Sequence, residues 1–336
     1  AALIGVIWPA EAPGRRPRNA LAFLAGGEVR GLAFKCDLPN YGVFDEKRVF
    51  NPGPMPGPVN FRGIRIGIPI CEDISVTMTL FQWHPAARVV GDASVLRAAL
   101  ATPGRAFRIG GDGPQPTGQG VFETLTSGSS GRPRRILRSM ASWTRSFAVN
   151  AALFEIGPGV RVAVLGDLVH SLALYGALEA LHLGAELHLL GGMRPDRQAA
   201  ALAGIDIIYA TPAQLRLLIE AGWQPTARLI IVGGSKLDAA LRAALGGVAV
   251  REFYGAAEAS FISLAGPDAP AESVGKAYPG VEIDLRDGEI WVRSPYLFQG
   301  YAGGDPGGAV WRDGWLSVGE MGRIKDGYLY LSGRAG

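Results

Sequence analysis

Cysteine is nearly missing from this chain: Cys36 and Cys71 are the only two among 336 residues. Two thiols make no disulfide framework, so a reducing cytosol is the expected compartment and stability has to come from a packed core. Histidine is almost as scarce. Four scattered copies with no close Cys/His spacing give no zinc-site signal. Excess charge is lacking too: the net charge is +3, too little to recruit nucleic acid or an anionic membrane surface. No apolar run is long enough to span a bilayer. The opening AALIGVIWPAEAPG lacks the basic n-region of a signal peptide and an initiator Met, and reads like the interior of a strand. The expectation is a chain cut at its front.

What is present is apolar and rich in turns: 48% of the residues are hydrophobic and 48 are glycine, enough for two or three domains with a real core. Three textures follow one another. Residues 1–74 are short apolar strands split by Gly and Pro. NALAFLAGGEVRGLAFK predicts two strands around a Gly-Gly turn, and FRGIRIGIPICED predicts one strand ending at Cys71. Residues 75–123 read as a connector with a helix in SVLRAALA and a loop in GGDGPQPTGQG. From Thr124 to Gly336, strands (VRVAVLGD, AELHLLGG, DIIYATP, ARLIIVGG) alternate with helices (HSLALYGALEALHLGA ending at Gly184, AQLRLLIEAG, KLDAALRAALGG). That alternation predicts an α/β fold, a mainly parallel sheet covered by helices. The end turns β-rich: VEIDLRDGEIWVRS predicts a hairpin with an Asp-Gly turn, and GYLYLSG one further strand.

One stretch stands out chemically. TLTSGSSGRPRRI carries small hydroxyls, two glycines and three arginines. Glycines free the backbone to wrap an anion, while hydroxyls and Arg132, Arg134 and Arg135 add donors and charge. A basic flexible linker has the same composition, and the G-K-[ST] ending of a Walker loop is absent.

The surrounding motifs resemble, in order, those of the adenylate-forming (AMP-binding) superfamily of acyl-CoA synthetases, luciferases and adenylation domains. TSGSSGRPRRI is similar to T-S-G-[ST]-[ST]-G-x-P-K-[GA]-[VI], with Arg134 at the Lys. IIVGGSKL is similar to the strand and Gly-Gly turn, and EFYGAAEAS to Y-G-x-[ST]-E with Ala257 at the hydroxyl position. DGWLSVGEMGRIKDGYLYLSGRAG is similar to the D-G-W…T-G-D…G-R segment, with Glu320 at the Asp.

The resemblance implies ATP or AMP, Mg2+, a small carboxylic acid and CoA as thiol acceptor. It implies that Thr126, Ser127, Gly128, Ser129, Ser130, Gly131 and Arg134 hold phosphates. Gly233, Gly234, Tyr254, Gly255, Ala256 and Ala257 would frame the nucleotide, with Tyr254 on adenine. Glu258 would position Mg2+, Glu320 would take the ribose, Arg334 would bind the nucleotide, and His170 would wall the acyl pocket. Read without the resemblance, Glu258 is equally a surface carboxylate and His170 a core histidine. His182 and His188 are assigned to a helix face and a strand. The chain stops at GRAG, where the superfamily's hinge begins, so weak nucleotide binding and slow turnover are expected.

The front has a different likeness. FKCDLPNYGVFDEKRVF and FRGIRIGIPICEDI resemble carbon–nitrogen hydrolases (nitrilases), in particular the glutaminase domain of glutamine-dependent NAD synthetase. That likeness implies Cys71 as nucleophile and Lys35 as oxyanion partner, whereas the residue alone also reads as a buried strand thiol. Neither Glu11 nor Glu28 suits the third, glutamate position. The abrupt change near Ser75 to Met78 reads as a fusion of two partial reading frames, natural or artefactual. Alternatives to acid activation are therefore an amidohydrolase or a non-catalytic piece.

Overall fold

Strands formed by RVAV, IIYA and LIIV have almost no polar atoms beyond the backbone, so each demands cover on both faces. The computed structural model supplies it. It describes residues 1–10, 12, 15–35, 38, 46–53, 59–61, 64–66, 70, 80–126, 133–305 and 307–334. The chain divides into two units, Ala1–Thr79 and Leu80–Gly336.

In the first unit β1 (Ala2–Trp8), β2 (Arg18–Ala25) and β3 (Glu28–Phe34) form an antiparallel sheet. Gly26 and Gly27, with φ of 65° and 81°, make the predicted turn between β2 and β3. A short helix, Glu46–Val49, follows. FRGIRIGIPICED is not one strand. β4 (Val59–Phe61) and β5 (Ile64–Ile66) pair antiparallel with Phe61 opposite Ile64, so the chain reverses within that stretch.

The second unit is built on an eight-stranded sheet. Its strands are β6 (Arg88–Val90), β10 (Arg161–Val164), β11 (Glu186–Leu189), β12 (Ile207–Ala210), β13 (Leu229–Val232), β14 (Ala249–Ala256), β15 (Ser260–Leu264) and β16 (Lys276–Ala277), in the order β16-β15-β14-β13-β12-β10-β11-β6. Pairing is parallel from β6 to β14 and antiparallel only at β15 and β16. Ile208, Ile230 and Val232 pack with Leu215, Leu218 and Leu241 of the helices Pro212–Glu220 and Ala239–Ala244. Those helices begin at matched caps. Thr211 and Gln214 form a capping box ahead of Pro212, and Asp238 accepts from Leu241 N at 2.8 Å. Helix Ser171–Leu183 ends on Gly184 at φ 83°, as its sequence predicts.

Two smaller sheets complete the unit. β7 (Phe107–Arg108), β8 (Val121–Leu125), β9 (Arg135–Ser139) and β19 (Gly300–Tyr301) form one. β17 (Glu282–Arg286), β18 (Glu289–Arg293), β20 (Val310–Arg312), β21 (Trp315–Lys325) and β22 (Tyr328–Arg334) form the other. Asp287 and Gly288, both at positive φ, make the predicted Asp-Gly turn.

Candidate nucleotide site

In open α/β sheets, ligands bind beyond the carboxyl ends of the parallel strands. Three groups of candidate residues of the second unit fall there. Gly233 and Gly234 directly follow β13, Tyr254 to Ala256 end β14, and the turn Asp167–His170 follows β10.

The hydroxyl-rich stretch links β8 to β9, which are antiparallel with Leu125 opposite Arg135. The ladder closes one step further on. Thr126 N donates to Arg134 O at 3.0 Å, and Arg134 N donates to Thr126 Oγ1 at 2.9 Å. Ser127, Gly128, Ser129, Ser130 and Gly131 lie outside the described residues. His170 precedes helix Ser171–Leu183, bridges to Leu125, and is exposed, so it is not a core histidine. Ser171 ties the same strand end, with Oγ 2.9 Å from Leu125 O and 2.7 Å from Thr124 Oγ1.

From this stem the contacts run to Glu258. Arg134 sits 3.5 Å from Asp305 Oδ2, and its guanidinium lies 5.7 Å from the Tyr301 ring centre. Tyr301 donates its hydroxyl to Glu258 Oε1 at 2.8 Å, and Phe298 N donates to Glu258 O at 2.8 Å. Burial, with the Glu258 carboxylate next in weight, pushes the Tyr301 phenol up, so it remains a donor.

Gly255 serves close approach. A Cβ there would sit 2.1 Å from Ser260 O, because the chain doubles back tightly at the end of β14. Gly233 likewise has Phe253 against its α-carbon, where a methyl group would lie only 2.2 Å from the ring. Ser260 holds φ 60°, an unusual value for a residue with a side chain. Across the turn, Tyr254 donates to Glu320 Oε2 at 2.5 Å, and Arg334 Nε is 3.9 Å from Glu320 Oε1. The residues chosen from the sequence thus form two connected groups. Thr126, Arg134 and Glu258 are joined through Tyr301, and Tyr254, Glu320 and Arg334 are joined directly. Tyr254 and Glu258 begin and end the same short segment.

Sequence reasoning missed Tyr301, Asp305 and Arg138. Arg138 lies on β9 on the buried phase with Ile136, so an arginine in an apolar register was the available signal. Among the described residues no group of three or more His, Cys, Asp or Glu could hold a metal by itself.

In the first unit Lys35 is buried, and its Nζ lies 2.9 Å from Glu46 Oε1. The glutamate that reaches Lys35 comes from downstream and was missed; Glu28 begins β3 and pairs with Arg30. Cys71 lies outside the described residues, so its approach to Lys35 is not placed.

Comparison with known proteins finds relatives of two kinds. The model of the family described as AMP-binding enzyme matches residues 112–302. An uncharacterized acyl-CoA ligase of Bacillus subtilis, YhfT, is 32% identical over 232 residues, covering 62% of this chain and 47% of that protein. The chain spans about half the length of such relatives. O-succinylbenzoate coenzyme A synthetase from Bacillus subtilis, solved with ATP and magnesium ion, shares the fold: TM-score 0.57, 23% identity, 63% of this chain and 50% of that one. The glutamine-dependent NAD(+) synthetase of Thermotoga maritima is 50% identical over 67 residues, 20% of this chain and 10% of that protein.

Proposed function

Since the chain belongs to the AMP-binding enzyme family, we propose that it is the nucleotide-binding part of an ATP-dependent carboxylate-activating ligase. The observation that carries this reading is the connection of Thr126 and Arg134 to Glu258 through Tyr301, at the carboxyl edge of the sheet. In this reading a carboxylate oxygen attacks the α-phosphorus of ATP. The bond to the bridging oxygen breaks and pyrophosphate leaves with the electron pair; the CoA sulfur then attacks the acyl carbon and loses its proton, and the acyl–oxygen bond breaks so that AMP leaves with that electron pair. Residues 124–336 form the AMP-binding core, 75–123 the connector, and 1–74 a nitrilase-like fragment.

The residues present fit the nucleotide and its metal. Glu258 is a half-buried hard oxygen donor with one oxygen already oriented by Tyr301. Mg2+, when bound, neutralises charge on the phosphate oxygens. Thr126 to Gly131 and Arg134 hold phosphates, while Gly233, Gly234, Gly255, Ala256 and Ala257 let the backbone approach the nucleotide. Tyr254 faces adenine, Glu320 with Arg334 takes the ribose end, and His170 borders the acid. Titrating the full chain with ATP and Mg2+ by calorimetry tests this. Binding in the micromolar to millimolar range supports it, and no heat at millimolar ATP sinks it.

The buried Lys35–Glu46 pair favours a second reading for the first unit, as a remnant of an amide hydrolase. Ammonia release from glutamine should be undetectable with this chain. A rate lost in Cys71→Ala would show an intact thiol site instead.

A further inference from the structure

A fully buried arginine stands behind the Glu258 turn. Arg138 has no exposed surface, and it lies on the strand that leaves the candidate phosphate loop. Its guanidinium donates to three acceptors from two separate segments: Ala257 O, Ser260 Oγ and Tyr296 O. Ser260 Oγ also accepts from Trp143 Nε1 at 3.2 Å, and the Trp143 ring lies 5.8 Å from the guanidinium carbon. Arg138 and Trp143 together therefore grip the side chain of the residue held at φ 60°.

Burying a guanidinium is costly unless it is paired. The three acceptors are neutral, and among the described residues the Arg138 Nε has no partner. Burial pushes the group down to about 9, which leaves it charged at neutral pH; the carboxylate that most opposes this is Glu258. Hydrogen bonds thus tie the guanidinium to Ala257 and Ser260, on either side of Glu258. On the other side the carboxylate is held by Tyr301.

We propose that Arg138 is a positioning residue that fixes the 256–260 turn, and with it the Glu258 carboxylate, so that a residue touching neither metal nor nucleotide sets the affinity for metal-bound ATP. The inference rests on the nucleotide reading above. A planar fork meets three acceptors in fixed directions, and a lysine ammonium, being a compact point charge, cannot reproduce that. Outer partners of metal-binding groups typically carry about 10–100-fold of metal affinity.

The test compares the full chain with Arg138→Lys and Ser260→Gly, measuring Kd for ATP with Mg2+ and with EDTA, and Tm for each. Ser260→Gly removes one acceptor while relieving the backbone at φ 60°, so it should fold even if the buried arginine cannot be replaced. We expect Mg-ATP affinity to fall by about tenfold or more in Arg138→Lys and severalfold in Ser260→Gly. Affinity for metal-free ATP should change less than about threefold in both, being held by other groups. Equal losses with and without Mg2+, or no loss in folded variants, overturn the assignment. If the parent chain itself binds no Mg-ATP, the nucleotide reading fails first, and this inference with it.

Discussion

Tyr254 donates its hydroxyl to Glu320 Oε2 at 2.5 Å, joining the end of β14 to the middle of β21. Burial first, then the Glu320 charge, pushes the phenol up, so the proton stays on the tyrosine. The bond ties together the two residues proposed to flank the nucleoside. Its removal can be separated from loss of the ring. Tyr254→Phe keeps the stacking face and should weaken ATP binding by no more than about a hundredfold, since one such bond is worth about 1.5–3 kcal/mol at most. Tyr254→Leu also forfeits base stacking, worth a further ~1–3 kcal/mol. Equal Kd values for the two variants would remove adenine from the Tyr254 ring.

Glycines of the two motifs should not be equally replaceable. A Cβ at Gly255 meets backbone, Ser260 O at 2.1 Å, and the strand end cannot yield without opening the turn. A Cβ at Gly233 first meets the Phe253 ring, at 2.2 Å, and a ring can shift. Gly247 has nothing within 4 Å. We expect Gly255→Ala to cost about 2–3 kcal/mol and Gly233→Ala about 1 kcal/mol, with Gly247→Ala near neutral. Urea midpoints of the three variants check this. A Gly255→Ala midpoint equal to that of Gly247→Ala would contradict the turn geometry.

The parallel strands β10 to β13 and the helices Ser94–Leu100, Ser171–Leu183, Pro212–Glu220 and Ala239–Ala244 were legible because apolar periodicity and punctuation agreed: Gly184 and the Thr211-Pro212 cap mark helix ends in sequence as in space. Helix Ala141–Phe154 was not legible. Its buried face interleaves Trp143, Phe147 and Phe154 with Ser142, Thr144, Ser146 and Asn150, so polar residues blur the apolar stripe that advertises a helix. Those polar atoms meet partners from distant segments: Ser146 and Asn150 both bond Tyr175. For the same reason the motif residues of the candidate site could be named from sequence, while Arg138, Tyr301 and Glu46, whose roles depend on partners far along the chain or across a turn, could not.

His182 should make stability fall in acid. Burial, and then the nearby His84, hold its imidazole below the usual histidine range. The native state therefore resists a proton that the unfolded chain accepts near pH 6.5. The contribution is complete above that value and is lost as pH falls through the lower native one. Replacing His182 by Gln removes a titrating group, so the gap in Tm between parent and variant should change between pH 7 and pH 5, in favour of the variant at pH 5. A constant gap would show that His182 takes up its proton without cost.

Glu179 should produce the opposite slope at higher pH. It is fully buried on helix Ser171–Leu183, accepts from Asn150 Nδ2 at 2.8 Å, and is bonded by the Tyr209 hydroxyl. Burial dominates and pushes its carboxyl up to about 8, although bonds from Tyr209, Asn150 and Tyr175 pull the other way. The neighbouring phenols Tyr175, Tyr209 and Tyr278 are all pushed up and stay neutral. Between the ordinary 4.5 and about 8 the folded protein keeps a proton that the unfolded chain has released. Stability therefore falls as pH rises through that window, by up to about 1.4 kcal/mol per pH unit, and levels off above it. Glu179→Gln cannot ionise and retains an acceptor and a donor for the same partners. Its stability relative to the parent should rise steadily from pH 5 to pH 8.5 in urea unfolding. A relative stability that stays flat would mean that Glu179 is already ionised in the fold, stabilised by its three hydrogen bonds against the cost of burial.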